Sequence, residues 1–108
     1  MSQKHVLIAI VGPTAVGKTT TAISLAELIG GEIVSADSRL LYQGMNVGTA
    51  KPTRSEMRRI RHHLIDVTTP DNPWTLAQYK FSATKAINDI HQRGYIPLLV
   101  GGTGQYVR

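Results

Sequence analysis

The amino-acid sequence predicts an α/β domain, a parallel sheet flanked by helices and cut from a longer chain. Two observations carry that expectation. The apolar runs "HVLIAIVG", "EIVSAD" and "YIPLLVGG" read as strands, and a helical-period segment separates each from the next. Strand, helix, strand, helix, strand is the order of a doubly wound sheet.

The elements follow in order. "HVLIAIVG" is a continuous apolar run closed by Gly12-Pro13, the pattern of a buried first strand. From Lys18 to Ile29, the residues Ala22, Ile23, Leu25, Ala26, Leu28 and Ile29 give a broad apolar helix face, and Gly30-Gly31 stops it. "EIVSAD" is the second strand. Residues 38–52 contain Gly44, Asn46, Gly48 and Pro52 and read mostly as loop, with one helical turn near Leu40–Tyr42. "RSEMRRIRHH" predicts a short basic helix, "HLIDV" a brief strand and "TTPDNPW" turns. A Thr-x-x-Gln capping box, Thr75 and Gln78, opens the next helix. Leu76, Tyr79, Ala83, Ile87 and Ile90 recur there at helical spacing, and Gly94 ends it. "YIPLLVGG" is the last strand. A parallel sheet needs both faces covered, and no helix follows this strand. Residues 1–108 are therefore read as the N-terminal portion of a longer catalytic domain.

A chain of 108 residues suffices for one small core. Cysteine is absent, which excludes disulfides and thiolate metal sites and suits a reducing, cytoplasmic setting. The apolar run near residues 6–11 is too short to span a bilayer, so no membrane association is expected. "MSQKHVLIAIVG" reads as a first strand rather than a signal peptide. The net charge is +5, and much of the excess lies in "KPTRSEMRRIRHH", residues 51–63. Lys51, Arg54, Arg58, Arg59 and Arg61 face only Glu56 there. Such a window is either a solvated helix face or a surface that meets a polyanion.

"GPTAVGKT" satisfies G-x-x-x-x-G-K-[ST] at every fixed position, between a predicted strand and a predicted helix. The expected phosphate-binding residues are Gly12, Pro13, Thr14, Ala15, Val16, Gly17, Lys18 and Thr19. Glycines let backbone N–H groups turn toward one anion, and the helix N-terminus adds a favourable dipole. Lys18 brings a cation to the outer phosphate oxygens, and the Thr19 hydroxyl is a ligand for Mg²⁺, the expected cofactor. The fold class is thus P-loop NTPase-like, of the nucleotide-kinase kind. The loop binds a di- or triphosphate whatever organic group is attached. The usual companion Asp at the end of an apolar strand is missing, since "YIPLLVGG" ends in glycines and Asp66 reads as structural.

Asp37 stands at the carboxyl end of the second strand, where ligands collect in parallel sheets. It is expected beside the phosphate loop if both strands lie in one parallel sheet. A carboxylate there has three readings: a turn residue, an indirect Mg²⁺ ligand, or a general base.

"GPTAVGKT", "SADSRLLYQGMNVGTAKP", "HHLIDV" and "PLLVGGTGQY" together resemble successive motifs of the tRNA dimethylallyltransferases, the tRNA isopentenyltransferase or IPP transferase family. The resemblance runs from about residue 6 to the last residue. Its most specific piece is D-S-x-x-x-Y-x-G-M-x-x-G-T-A-K-P, which a generic kinase has no reason to carry. It implies transfer of a dimethylallyl group from dimethylallyl diphosphate to N6 of the adenosine on the 3′ side of the anticodon in tRNA. The phosphate loop then holds the leaving group. By the same resemblance, Asp37 is the base, with Lys18 and Thr103 as its catalytic companions. Asp37, Ser38, Arg39, Leu40 and Thr103 meet the tRNA, and Thr14 and its neighbours meet the diphosphate. The expected partners are the tRNA anticodon loop and the prenyl diphosphate, on a monomeric enzyme. An inserted helical tRNA-binding domain is expected beyond residue 108. Two positions depart from the family pattern: Leu40, where many members have Gln, and Gln105, where Leu is common.

The main rival is a P-loop kinase that transfers a phosphoryl group from ATP to a small molecule or nucleotide. A second rival is a nucleotide-controlled RNA-binding switch. Tyr42 and Trp74 read as packing residues. His62 and His63 lack partners at zinc-ligand spacing.

Overall fold

The computed structural model describes residues 6–12, 16–44 and 52–102; the side chains of residues 11–19, 38, 39 and 102 lie outside that description. Four strands form one parallel sheet: β1 (Ile8–Gly12), β2 (Gly31–Ser35), β3 (His62–His63) and β4 (Ile96–Gly102). Three α-helices accompany them: α1 (Val16–Ile29), α2 (Arg54–Arg59) and α3 (Leu76–Gln92), with a 3₁₀ turn at Ser38–Leu41. The strand order is β1-β4-β2-β3. β4 enters between the first two strands, and Ile33 of β2 and Ile8 of β1 both stand opposite Leu98.

Neighbouring residues of a strand point to opposite faces, and β2 shows what covers each. Ile33 joins Ala22, Ile23, Ala26, Ile60 and Leu98 in one core against α1. Val34 joins Leu41, Leu64, Tyr79, Ala83, Ala86 and Ile90 in the other, against α3. The helices thus lie on both faces, as the α/β pattern requires.

Helix ends follow local chemistry. In α3 the Thr75 hydroxyl accepts from the Gln78 N–H at 3.1 Å, and the Gln78 side chain returns the bond to the Thr75 N–H at 2.8 Å. The same reciprocal box, Thr53 with Glu56, opens α2. Gly30 and Gly94 close α1 and α3 with φ of 75° and 84°, the left-handed conformation that costs glycine least.

Several expectations need correction. Among the described residues β1 lies at the edge of the sheet, with Ile8 and Ile10 partly buried and Ala9 exposed. Leu28, expected on the apolar face of α1, is 83% exposed. Leu76 of α3 is also exposed. The basic helix stops at Arg59, because Ile60 turns extended. The strand expected over "HLIDV" is the pair His62–His63 instead. It ends because Leu64 and Asp66 take φ of 67° and 58°. The chain then folds back, Asp66 N–H donating to Leu40 O and Val67 N–H to Leu41 O. Among the described residues no helix is long and apolar enough to cross a membrane.

Candidate functional site at the carboxyl edge of the sheet

β1 delivers the chain to Gly12, and α1 starts at Val16. Residues 13–15, with Pro13, Thr14 and Ala15, lie outside the described residues. Val16, Gly17, Lys18 and Thr19 form the first turn of α1. Their backbone N–H groups have no partner within the helix, which is the basis of anion binding at such a terminus. The Lys18 and Thr19 side chains are not described, and Thr103 lies outside the described residues altogether.

Asp37 follows β2 at the same edge, with 8% of its surface exposed. β4 lies between β1 and β2, which sets the ends of those two strands apart by two strand spacings, roughly 10 Å.

Backbone contacts fix the position of Asp37. Its N–H donates to Ser35 Oγ at 3.2 Å, and its carbonyl accepts from the Leu40 N–H at 3.0 Å. The preceding Ala36 N–H donates to Val100 O at 2.7 Å. β3 does not run alongside Ser35. The Ser35 carbonyl instead accepts from the Tyr79 hydroxyl at 2.8 Å, a bond from α3 that stands in for a missing ladder partner. Gly101 of β4 packs against this exit so closely that an added Cβ would stand 2.7 Å from Ala36 Cβ and 3.0 Å from its carbonyl carbon. No side chain fits there.

Ser38 and Arg39 sit in the 3₁₀ turn, their side chains outside the description. Leu40 is buried and lines a cavity of about 30 Å³ below Asp37, together with Ala22, Ile33, Val100, Ser35 and His62. The His62 Nδ1–H donates to Ile60 O at 2.7 Å. Burial pushes the His62 imidazole below its usual pKa. Tyr42 and Trp74 pack on the α3-side core, as expected, and the Trp74 N–H donates to Tyr42 Oη at 3.3 Å.

The basic window is divided. Arg59 is held by Glu27 of α1 at 2.6 Å. Arg54, Arg58 and Arg61 are exposed, and Lys51 lies outside the described residues. Among the described residues no three His, Cys, Asp or Glu side chains cluster at metal-binding geometry.

Sequence reasoning passed over Ser35 and dismissed His62 as a ligand. The Ser35-x-Asp37 spacing, a hydroxyl two residues before a backbone N–H, was a usable signal for the first. Nothing local marks the second.

The strand-to-helix phosphate motif and this all-parallel order define an α/β protein of the P-loop NTPase-like class. Within it the chain belongs to the IPP transferase family, whose model matches residues 40–108. It is 61% identical to a tRNA dimethylallyltransferase of Roseiflexus castenholzii over 94% of the chain and 33% of that relative. One from Thermomicrobium roseum is 52% identical over 100% of the chain and 33% of its own length. The crystal structure of a full-length tRNA isopentenylpyrophosphate transferase from Bacillus halodurans superposes with a TM-score of 0.89 at 52% identity, covering 96% of this chain and 34% of that one. A eukaryotic dimethylallyltransferase acting on tRNA matches with a TM-score of 0.86 at 35% identity, over 94% and 25% of the two chains. The chain spans about a third of the length of the curated relatives it matches.

Proposed function

We propose that the protein to which this chain belongs transfers a dimethylallyl group from dimethylallyl diphosphate to N6 of the adenosine 3′-adjacent to the anticodon in tRNA. The products are N6-isopentenyladenosine and diphosphate. The observation that supports it is the carboxylate of Asp37, buried at the sheet edge one strand removed from the strand that feeds the phosphate loop. A generic kinase has no reason to carry the D-S-x-x-x-Y-x-G-M-x-x-G-T-A-K-P continuation, and the relatives' names favour prenyl transfer over phosphoryl transfer.

In this reading the allylic C–O bond breaks as N6 bonds to the freed carbon. Negative charge collects on the departing diphosphate, where the α1 N-terminus, the loop amides and Lys18 stabilise it. Asp37 accepts the proton that N6 loses. A neutral exocyclic amine is a poor nucleophile, and such a base contributes about 10²–10⁴-fold. Gly12 to Thr19 hold the diphosphate; Ser38, Arg39 and Thr103 meet the nucleotide, whereas Leu40 is buried with both main-chain groups already bonded. The adenine must leave its stack to reach Asp37, at a cost of a few kcal/mol.

Mg²⁺ suits this donor set. It retains waters and substrate phosphates around one or two protein oxygens rather than needing an all-protein cage, and the described residues offer no such cage. Thr19 would hold it, and it would supply charge neutralisation at the diphosphate.

The test uses the full-length protein with Mg²⁺, unmodified tRNA, and radiolabelled dimethylallyl diphosphate or ATP. Label from the prenyl donor should enter tRNA without ATP. Acceptor-stimulated ATP consumption with no prenyl incorporation would overturn the proposal.

A further inference from the structure

We propose that His62 is a positioning residue for Asp37, acting through the Ser35 hydroxyl across the small cavity beneath the strand exit. The inference rests on Asp37 serving as the base.

A carbonyl can only accept, so the 2.7 Å contact between His62 Nδ1 and Ile60 O places the proton on Nδ1. Nε2 is then an acceptor. It is shut off from solvent and has no hydrogen-bond partner among the described residues, which is costly for a buried polar atom. Apart from Ser35 and His62 the cavity is lined by apolar residues: Ala22, Ile33, Leu40, Pro52, Ile65 and Val100. The Ser35 oxygen already accepts the Asp37 N–H at 3.2 Å, and its own proton remains to be donated. A space of about 30 Å³ admits one water. That water accepts from Ser35 Oγ–H and donates to His62 Nε2.

The resulting chain runs in one direction: Asp37 N–H to Ser35 Oγ, Ser35 O–H to water, water to His62 Nε2, His62 Nδ1–H to Ile60 O. Each bond polarises the next. Its function is to fix the rotamer of a hydroxyl that would otherwise choose among three wells. With that rotamer fixed, the Ser35 lone pair aims at the Asp37 N–H and holds the turn that presents the carboxylate. The second anchor of the same residue, the Tyr79 bond to the Ser35 carbonyl, fixes the main chain but not the hydroxyl. His62 therefore controls something that the α3 contact does not.

The experiment measures turnover of the full-length protein with dimethylallyl diphosphate and tRNA, beside a thermal melt of each variant. His62→Asn keeps a donor for Ile60 O and removes the Nε2 acceptor; His62→Gln restores an acceptor near that place. His62→Asn and Ser35→Ala should each lower kcat about tenfold, the order expected of a misplaced group, with KM for both substrates within about twofold. His62→Gln and Ser35→Thr should recover most of the loss. The double variant should be no slower than the slower single one, since both break the same chain. Wild-type kcat in folded His62→Asn, or multiplicative losses in the double variant, would overturn the proposal. If His62→Asn does not fold, equal kcat for Ser35→Ala and Ser35→Thr would overturn it instead. Asp37→Ala, assayed in parallel, separates the two ideas. Retained turnover there sinks the base assignment, whereas an inactive Asp37→Ala beside a normal His62→Asn sinks the positioning role alone.

Discussion

Strand β2 has a buried carboxylate near each end, one with its side chain committed to an ion pair and the other with its main chain held at the strand exit. At the amino end, Glu32 is fixed through its side chain. Arg93, at the C-cap of α3, donates to both of its oxygens, and His63 Nε2 lies 2.7 Å from Oε1. At the carboxyl end, Asp37 is fixed through its main chain, by Ser35 Oγ, the Leu40 N–H and the neighbouring Ala36–Val100 bond. Burial pushes the Glu32 carboxyl up, but the bonds from Arg93 and His63 outweigh it and hold the group below the usual carboxylate range. A carboxylate so committed has lost the basicity that proton abstraction needs. Both carboxylates are almost fully buried.

Four changes test that contrast. The largest effect belongs to Asp37→Ala in the full-length protein, which should cut turnover by about 10²–10⁴. Filter binding should show tRNA affinity little changed; near wild-type turnover would place the base elsewhere. Next is Gly101→Ala, whose new methyl meets Ala36 backbone. Moving the strand exit by a fraction of an ångström should lower kcat on the order of 10²-fold, and crystallography of the variant should show Ala36 displaced.

Glu32→Gln should do the reverse. It leaves turnover of folded protein intact yet costs about 2–3 kcal/mol, because Arg93 loses its counter-charge and His63 its hydrogen-bond partner; denaturant melts measure it. That falls below the usual range for a broken buried pair because Arg93 is partly exposed. The pH dependence follows from the direction of the shifts. Glu32 and His62 both have folded pKa values below their ordinary ones, so the unfolded chain takes up each proton first. Their stabilisation is complete above the unfolded pKa and declines as pH falls: for His62 from about 6.5 downward, for Glu32 from about 4.3 downward. Glu32→Gln should remove the lower of these two declines and leave the upper. The smallest effect is expected for Leu28→Ser on exposed α1, within about 0.5 kcal/mol. A clearly larger loss in the full-length protein would show that another part of it covers that face.

Local chemistry was the legible part. Thr75 and Gln78 announced α3, Gly30 and Gly94 its limits and those of α1, and "GPTAVGKT" the strand-to-helix turn, all through contacts within a few residues. Asp37 was legible as a strand-end carboxylate for the same reason. Partners far apart in sequence were not. Glu32 meets residues 31 and 61 positions away, and nothing in "GEIVS" announces either. Strand order was equally hidden: nothing local places β4 between β1 and β2. The left-handed Leu64 goes against its own preference; only the return bonds from residues 66–68 to Leu40 and Leu41 explain it.

The position of β4 has a consequence for synthesis. It is the last of the four described strands to leave the ribosome, yet it alone joins β1 to β2. Until it emerges, the first two strands have no partner in common, and the edges that face β4 wait unpaired, that of β2 for roughly sixty residues of translation and that of β1 for roughly eighty. Contacts of such long sequence separation are slow to form. The nascent chain is therefore most exposed to aggregation, and to chaperones that bind extended apolar segments, in the interval before Gly102 clears the exit tunnel.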